Sequence, residues 1–244
     1  ERFGDCVCTR ANKHCVDRMK WITVLLGLAC VLQLSTAAKP NEDPNCDFWA
    51  DEGECDANPT YMWKSCETAC EKIDKERNVG VAASFYDLEA KDIHGKPISF
   101  EKYKDKVVVI TNVATYCGRT NSHYRGLVKL HKHFEATGMV EILGFPCNQF
   151  GEQEPEKCEA IEKFATNKGV KFQMMDKIDV NGMDVSPVYK FLKKKTSVRN
   201  IHWNFDTYFI VDTAGSVEAN TDVEPMDLVD EIQGKLDEYE KQEL

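Results

Sequence analysis

The order of periodic segments predicts an α/β domain, a central mixed sheet flanked by helices, with a small disulfide-stapled module in front of it. Three observations carry this expectation. Val107–Val113 is an unbroken and mostly β-branched run, the pattern of a strand buried on both faces. From there, strand-like and helix-like segments alternate toward the C-terminus, which favours parallel strands joined by helical crossovers. Asn45–Cys70 holds four cysteines in a piece too short to bury a core of its own, and disulfides are the usual remedy.

The elements of the larger domain, residues 83–239, follow in order. Phe85–Ala90 alternates and predicts an opening strand, then a turn at His94-Gly95. Val107–Val113 is the first buried strand. Asn121–Thr137 reads as a helix, with Leu127, Leu130 and Phe134 on one face and Gly138 as its stop. Val140–Phe145 is a second buried strand. Glu156–Asn167 places Ile161, Phe164 and Ala165 on one side of a helix. Ser186-Pro187 supplies the N-cap and first residue of another. Thr207–Val211 and Ser216–Ala219 are strands around a Thr213-Ala214-Gly215 turn. From Pro225 a last helix lines up Leu228, Ile232, Leu236 and Tyr239. Strand–helix–strand, helix, hairpin, helix is the order of a thioredoxin-like fold.

Charge and composition exclude several classes of function. The chain has 244 residues, 42% hydrophobic and 30% charged, with a net charge of −10. That composition belongs to a folded globular protein, and the acidic balance opposes nucleic-acid binding. Met19-Lys20, the apolar run Trp21–Leu34 and the small residues through Ala38 have the three parts of a secretory signal. The run is shorter than the ~20 residues of a membrane span, so no span is expected. Glu1–Arg18 shows no apolar periodicity and reads as a leader outside the native protein, with Met19 as the start. Cys8 and His14 within it are read as no zinc site. The chain closes on Lys241-Gln242-Glu243-Leu244, close to the Lys-Asp-Glu-Leu address for retrieval to the endoplasmic reticulum. The lumen of that compartment is therefore the expected location, with secretion the alternative.

Seven of the eleven cysteines lie beyond the signal. Four belong to the module, residues 44–72: Cys46, Cys55, Cys66 and Cys70. Four thiols allow three pairings, and spacing does not choose among them. The pattern C-x-x-W-A-x-x-G-E-C-x-x-N-P-x-x-M-x-x-x-C-x-x-x-C resembles the ShKT module, without that family's first and sixth cysteines. The resemblance implies Cys46–Cys66 and Cys55–Cys70. Tyr61 and Lys64 could mimic the channel-blocking pair of some ShKT toxins, but a packed Tyr and a solvated Lys in a docking module is the plainer expectation. The charged stretch Glu71–Asn78 reads as part of a short linker, residues 73–82.

The chemistry centres on Cys117. It falls just past the first buried strand and just before the first long helix, where backbone N–H groups and the positive end of the helix dipole gather. Such a position lowers a thiol pKa. Thr120 stands where a disulfide-exchange enzyme carries its second cysteine. A single reactive sulfur suits attack on a small oxidant better than dithiol exchange.

Three segments extend this. Asn112-Val113-Ala114-Thr115-Tyr116-Cys117-Gly118, Phe145-Pro146-Cys147-Asn148-Gln149-Phe150-Gly151-Glu152-Gln153-Glu154-Pro155 and Trp203-Asn204-Phe205 resemble, in this order, the three motifs of glutathione peroxidases of the cysteine type. The resemblance implies a peroxidase whose tetrad is Cys117, Gln153, Trp203 and Asn204. Neutral amide and indole N–H groups stabilise a thiolate without adding a competing charge. The sulfur would attack peroxide, become a sulfenic acid and pass into a disulfide. No prosthetic cofactor and no metal are implied. His123, His131, His133 and His202 are read as surface or packing residues.

The reductant is a thiol co-substrate: glutathione, thioredoxin or protein disulfide isomerase. The resolving cysteine that thioredoxin-dependent members carry on the second helix is replaced by Thr166. Cys147 and Cys158 remain as candidate resolving thiols, Cys147 ahead because its equivalent is discussed as a redox thiol in the ER-resident branch, and Cys158 read as a buried, inert residue. Only Phe191–His202 precedes the Trp-Asn-Phe motif, where tetrameric members carry a long insertion. This implies a monomer with an open site that accepts hydrogen peroxide and bulky organic or lipid hydroperoxides; with the tail and signal, the chain resembles the ER-resident members, which implies protein disulfide isomerase as partner. Two alternatives are a peroxide sensor that donates disulfides to that isomerase, and a ShKT-mediated binding protein with the peroxidase domain as scaffold.

Overall fold

The computed structural model describes residues 39–242 except 78, 183 and 197. The residues read as a leader and a secretory signal, and the last two residues of the chain, lie outside the described residues.

The cysteine module folds as four short helices: α1 (Cys46–Asp51), α2 (Glu54–Ala57), α3 (Pro59–Ser65) and α4 (Glu67–Arg77). Disulfides Cys46–Cys66 and Cys55–Cys70 staple them, the pairing that the ShKT resemblance implies. Both bridges are buried with Ala50, Met62, Ala69 and Ile73 in a core too small to stand without them. The charged stretch read as a linker instead continues α4 to Arg77. No Gly or Pro interrupts it, and Glu, Lys and Arg are good helix formers. Arg199 of the larger domain lies 3.6 Å from the centre of the Trp63 ring and 3.6 Å from Asp74, so the module rests on the chain just ahead of Trp203.

A short antiparallel hairpin, β1 (Glu89–Lys91) and β2 (Pro97–Ser99), precedes the main sheet. Phe85–Asp87 is not strand but a 3₁₀ turn. The Ser84 hydroxyl accepts from the Tyr86 N–H, and the Asp87 carboxylate accepts from the Ser84 N–H. That reciprocal cap outcompetes an alternating pattern of only a few residues.

The main sheet is built from β3 (Val107–Val113), β4 (Val140–Pro146), β5 (Gln173–Met174), β6 (Thr207–Val211) and β7 (Val217–Thr221). Their order across the sheet is β5-β4-β3-β6-β7. β3, β4 and β5 are parallel, while β6 and β7 are antiparallel, so the sheet is mixed as expected. Every residue of β3 is buried. Val107 and Val109 face a core shared with α5 (Thr120–Phe134), α6 (Cys158–Asn167) and α8 (Val229–Gln242). Val108 and Ile110 face the opposite core, shared with α7 (Pro187–Thr196). The period of two along a strand does this sorting. The last helix opens with a 3₁₀ turn at Pro225–Leu228 before α8 begins. Among the described residues no helix is long and apolar enough to cross a membrane.

Candidate active site

Cys117 sits on the loop between β3 and α5, at the C-terminal edge of the central strand. It is 7% exposed. Its own carbonyl accepts from the Thr120 N–H at 3.1 Å, closing the turn into α5. The Thr120 hydroxyl donates to the Ala114 carbonyl at 2.6 Å. The Tyr116 N–H donates to the Gln153 carbonyl at 3.0 Å, which joins this loop to the one after β4.

Gln153 is presented by two successive left-handed residues, Gly151 at φ 61° and Glu152 at φ 52°. Asn204 is buried, and its Nδ2 donates to Gln153 Oε1 at 3.3 Å. The residue after it, Phe205, also has a positive φ of 59°. A bulky residue is rarely found there, and such strain persists only where its surroundings impose it. Here the Phe205 N–H donates to the Asn112 carbonyl at 2.9 Å. Its ring is buried with centroids 5.3 Å from His123 and 5.6 Å from Tyr124. The strained turn holds Asn204 inward and leaves Trp203 39% exposed, its ring 5.9 Å from Phe150.

Gln153 and Asn204 are therefore bonded directly, Trp203 adjoins them along the chain, and Cys117 is tied to Gln153 through the backbone of Tyr116. One part of the sequence expectation is not met. Among the described residues no side chain donates to the Cys117 sulfur. Buried amides first satisfy one another, and here Asn204 bonds Gln153 while Asn112 Nδ2 donates to Asn204 Oδ1 at 3.2 Å and to the Trp203 carbonyl at 3.3 Å. The Gln153 amide nitrogen has no partner among the described residues.

Cys147 and Cys158, like Cys117, are free thiols. Cys147 is wholly buried just past β4, and burial pushes its thiol up to about 11. Cys158 opens α6 and is half-buried rather than buried, because its Sγ–H reaches Asp176 at 3.2 Å at the domain surface. Burial first, then the Asp176 carboxylate, raises its thiol too.

Three further residues surround the site that motif reading left without a role. Asn112 is a polar residue inside a strand buried on both faces, and that anomaly was visible in the sequence. Glu154, next to Gln153, is also buried, and burial pushes its carboxyl up to about 7. Its Oε2 accepts from the Thr115 hydroxyl at 3.1 Å, while Oε1 has no partner among the described residues. Arg119 lies 3.1 Å from Asp222 and 3.6 Å from Asp206, which balance its charge beside the Cys117 loop. His123, expected as a packing residue, is buried on α5 with Nδ1 2.6 Å from the Tyr208 hydroxyl. Burial holds it below the ordinary histidine range. Among the described residues no cluster of His, Cys, Asp or Glu is placed to hold a metal ion.

Residues 85–193 match the family model for glutathione peroxidase. Glutathione peroxidase-like peroxiredoxin 2 of Saccharomyces cerevisiae is 45% identical over 163 residues, covering 64% of this chain and 99% of that protein. Phospholipid hydroperoxide glutathione peroxidase of Callithrix jacchus is 43% identical over 155 residues, covering 62% of this chain and 76% of that protein. Among solved structures, apo Trgpx superposes with a TM-score of 0.54 at 32% identity, over 64% of this chain and 97% of its own.

Proposed function

The chain belongs to the glutathione peroxidase family and is a thiol peroxidase, and we propose that Cys117 is the sulfur that attacks the peroxide, assisted by Gln153, Trp203 and Asn204. The observation that carries this is the joining of the β3–α5 loop to the Gln153–Asn204 amide pair at one edge of the sheet. Deprotonated Cys117 sulfur attacks one peroxide oxygen. An S–O bond forms, the O–O bond breaks, and the other oxygen leaves as water or an alcohol once protonated. Amide and indole N–H groups stabilise the charge that develops on the departing oxygen. The resulting sulfenic acid condenses with a thiol, releases water and forms a disulfide. A second thiol reduces that disulfide, so two thiols are oxidised for each peroxide reduced.

The oxidants are hydrogen peroxide and organic or lipid hydroperoxides, and the setting is the lumen of the secretory pathway. The signal-like apolar run Trp21–Leu34 and the two disulfides of the module support that setting. Protein disulfide isomerase is the reductant best suited to it, with the protein acting as a monomer. Cys147 and Cys158 are the candidate resolving thiols within the chain.

The test is peroxide consumption coupled in turn to glutathione, thioredoxin and protein disulfide isomerase, with native protein and Cys117→Ser. Turnover is expected with the isomerase at least as fast as with the other two, and none in Cys117→Ser. Undiminished turnover in that variant would remove the catalytic assignment. Mass spectrometry of the peroxide-treated protein identifies the sulfur that joins Cys117.

A further inference from the structure

Asn112 is an expensive choice for its position. It is the sixth of seven residues in a strand that is buried throughout, where β-branched side chains pack best and an amide must find partners. One end finds them. Its Nδ2 donates to the Trp203 carbonyl and to Asn204 Oδ1, at 3.3 Å and 3.2 Å. Its Oδ1 is buried with no partner among the described residues. A buried unpaired acceptor in a native protein asks for an explanation.

The explanation lies in direction. An amide can be turned end for end, and its orientation is decided by its partners. The Trp203 carbonyl only accepts, so the Asn112 group facing it must be NH₂. The same NH₂ makes Asn204 accept through Oδ1. Asn204 must then donate with Nδ2, and it does so to Gln153 Oε1 at 3.3 Å. The Gln153 oxygen is thereby engaged and its NH₂ is left as the free end. Turning any one link would set like against like, oxygen facing oxygen or NH₂ facing NH₂. The Asn112 backbone adds a second hold, since its carbonyl accepts from the N–H of Phe205, on the far side of Asn204.

We infer that Asn112 is a positioning residue: it sets the donor direction of the Asn204–Gln153 amide chain, so that Gln153 offers hydrogens rather than an oxygen to the reacting sulfur and peroxide. This rests on Cys117 and Gln153 acting as proposed above. Asn112 itself touches neither reactant. Its unpaired oxygen is the local cost of that polarity, the kind of broken rule expected beside a functional site.

Asn112→Asp is the discriminating variant. A carboxylate can only accept, so Asn204 turns its NH₂ toward residue 112, and Gln153 then presents its oxygen to the site. The second-order rate of oxidation of the reduced full-length protein by hydrogen peroxide should fall by about tenfold or more, up to the roughly 10²–10³-fold loss seen when an oriented donor is removed outright. The pH midpoint for alkylation of Cys117 by iodoacetamide should move upward. In a Gln153→Ala background the same substitution should change the peroxide rate less than about twofold, since residues that act through one another are non-additive. Asn112→Leu, which leaves the polarity unset, should show a smaller fall that also vanishes in Gln153→Ala. A rate within about twofold of native in Asn112→Asp, or equal falls in both backgrounds, would overturn the proposal. So would failure of both variants to fold, which would assign Asn112 to the architecture alone. Cys117→Ser keeps the two levels apart: turnover surviving there sinks the catalytic reading, whereas its loss alongside an indifferent Asn112→Asp sinks only this one.

Discussion

Glu154→Gln exchanges a buried carboxyl for a neutral amide of the same shape, and the structure says how stability should respond to pH. Burial drives the Glu154 carboxyl from 4.5 up to about 7. The Thr115 hydroxyl and Lys177 pull it down and Glu156 pushes it up, but removal from water outweighs them. Between those two pH values the native protein holds a proton that the unfolded chain has released. Stability must therefore fall as pH rises through that window, and it is fully present below 4.5. At about 1.4 kcal/mol per pH unit, the loss amounts to about 3 kcal/mol by pH 7 and levels off above it. The assay is urea unfolding of native and Glu154→Gln protein from pH 4 to pH 8.5, followed by circular dichroism. Subtracting the two series cancels the other titrating groups. The native protein should lose ground to the variant steadily across the window, then hold a constant deficit. A difference that stays level with pH, or a native protein that gains on the variant toward pH 7, would refute the account of Glu154 as a carboxyl kept protonated by burial.

Two further expectations concern packing and covalent staples. Gly126 lies buried on α5, and a Cβ there would sit 2.9 Å from Pro225 Cγ and 3.0 Å from Cδ. Alanine would favour the helix by about 1 kcal/mol, but overpacking against a rigid ring costs about 1–3 kcal/mol. Gly126→Ala should thus lower the Tm by a few degrees, and a higher Tm in calorimetry would show that the ring yields. Cys55 and Cys70 close a loop with a sequence separation of 15, worth about 3 kcal/mol to the module by chain entropy. Replacing both with Ala should expose the amides of α1–α4 to hydrogen exchange while β3 and β4 keep their protection; equal loss in both regions would mean that the module and the sheet unfold as one.

Local signals were enough to read β3, α5 and α6 from their periods, α7 from its Ser186-Pro187 start and the β6–β7 hairpin from its turn, because each signal lies within a few neighbouring residues. They failed where a few residues answer to a cap or a distant partner. Phe85–Asp87 alternates like a strand, yet Ser84 and Asp87 wind it into a 3₁₀ turn. β5 is only Gln173–Met174 and exists because β4 offers it an edge. α4 runs past the charge cluster read as a linker. The motifs named Cys117, Gln153, Trp203 and Asn204, but not how they would meet.

By itself, then, the order of residues determined the mixed α/β domain, the four-cysteine module and the place of a lone sulfur ahead of a long helix. These follow from periodicity, spacing and the steric character of each side chain, all of which act over a few positions. Only the folded chain decided that Asn112, Gln153 and Asn204 form a directed line of amides, that Glu154 is shut away with an unpaired oxygen, and that Arg199 is clasped by Trp63 and Asp74. Hydrogen-bond direction, desolvation and ring contacts depend on groups about 40 to 140 positions apart in the chain, and no local window contains both partners.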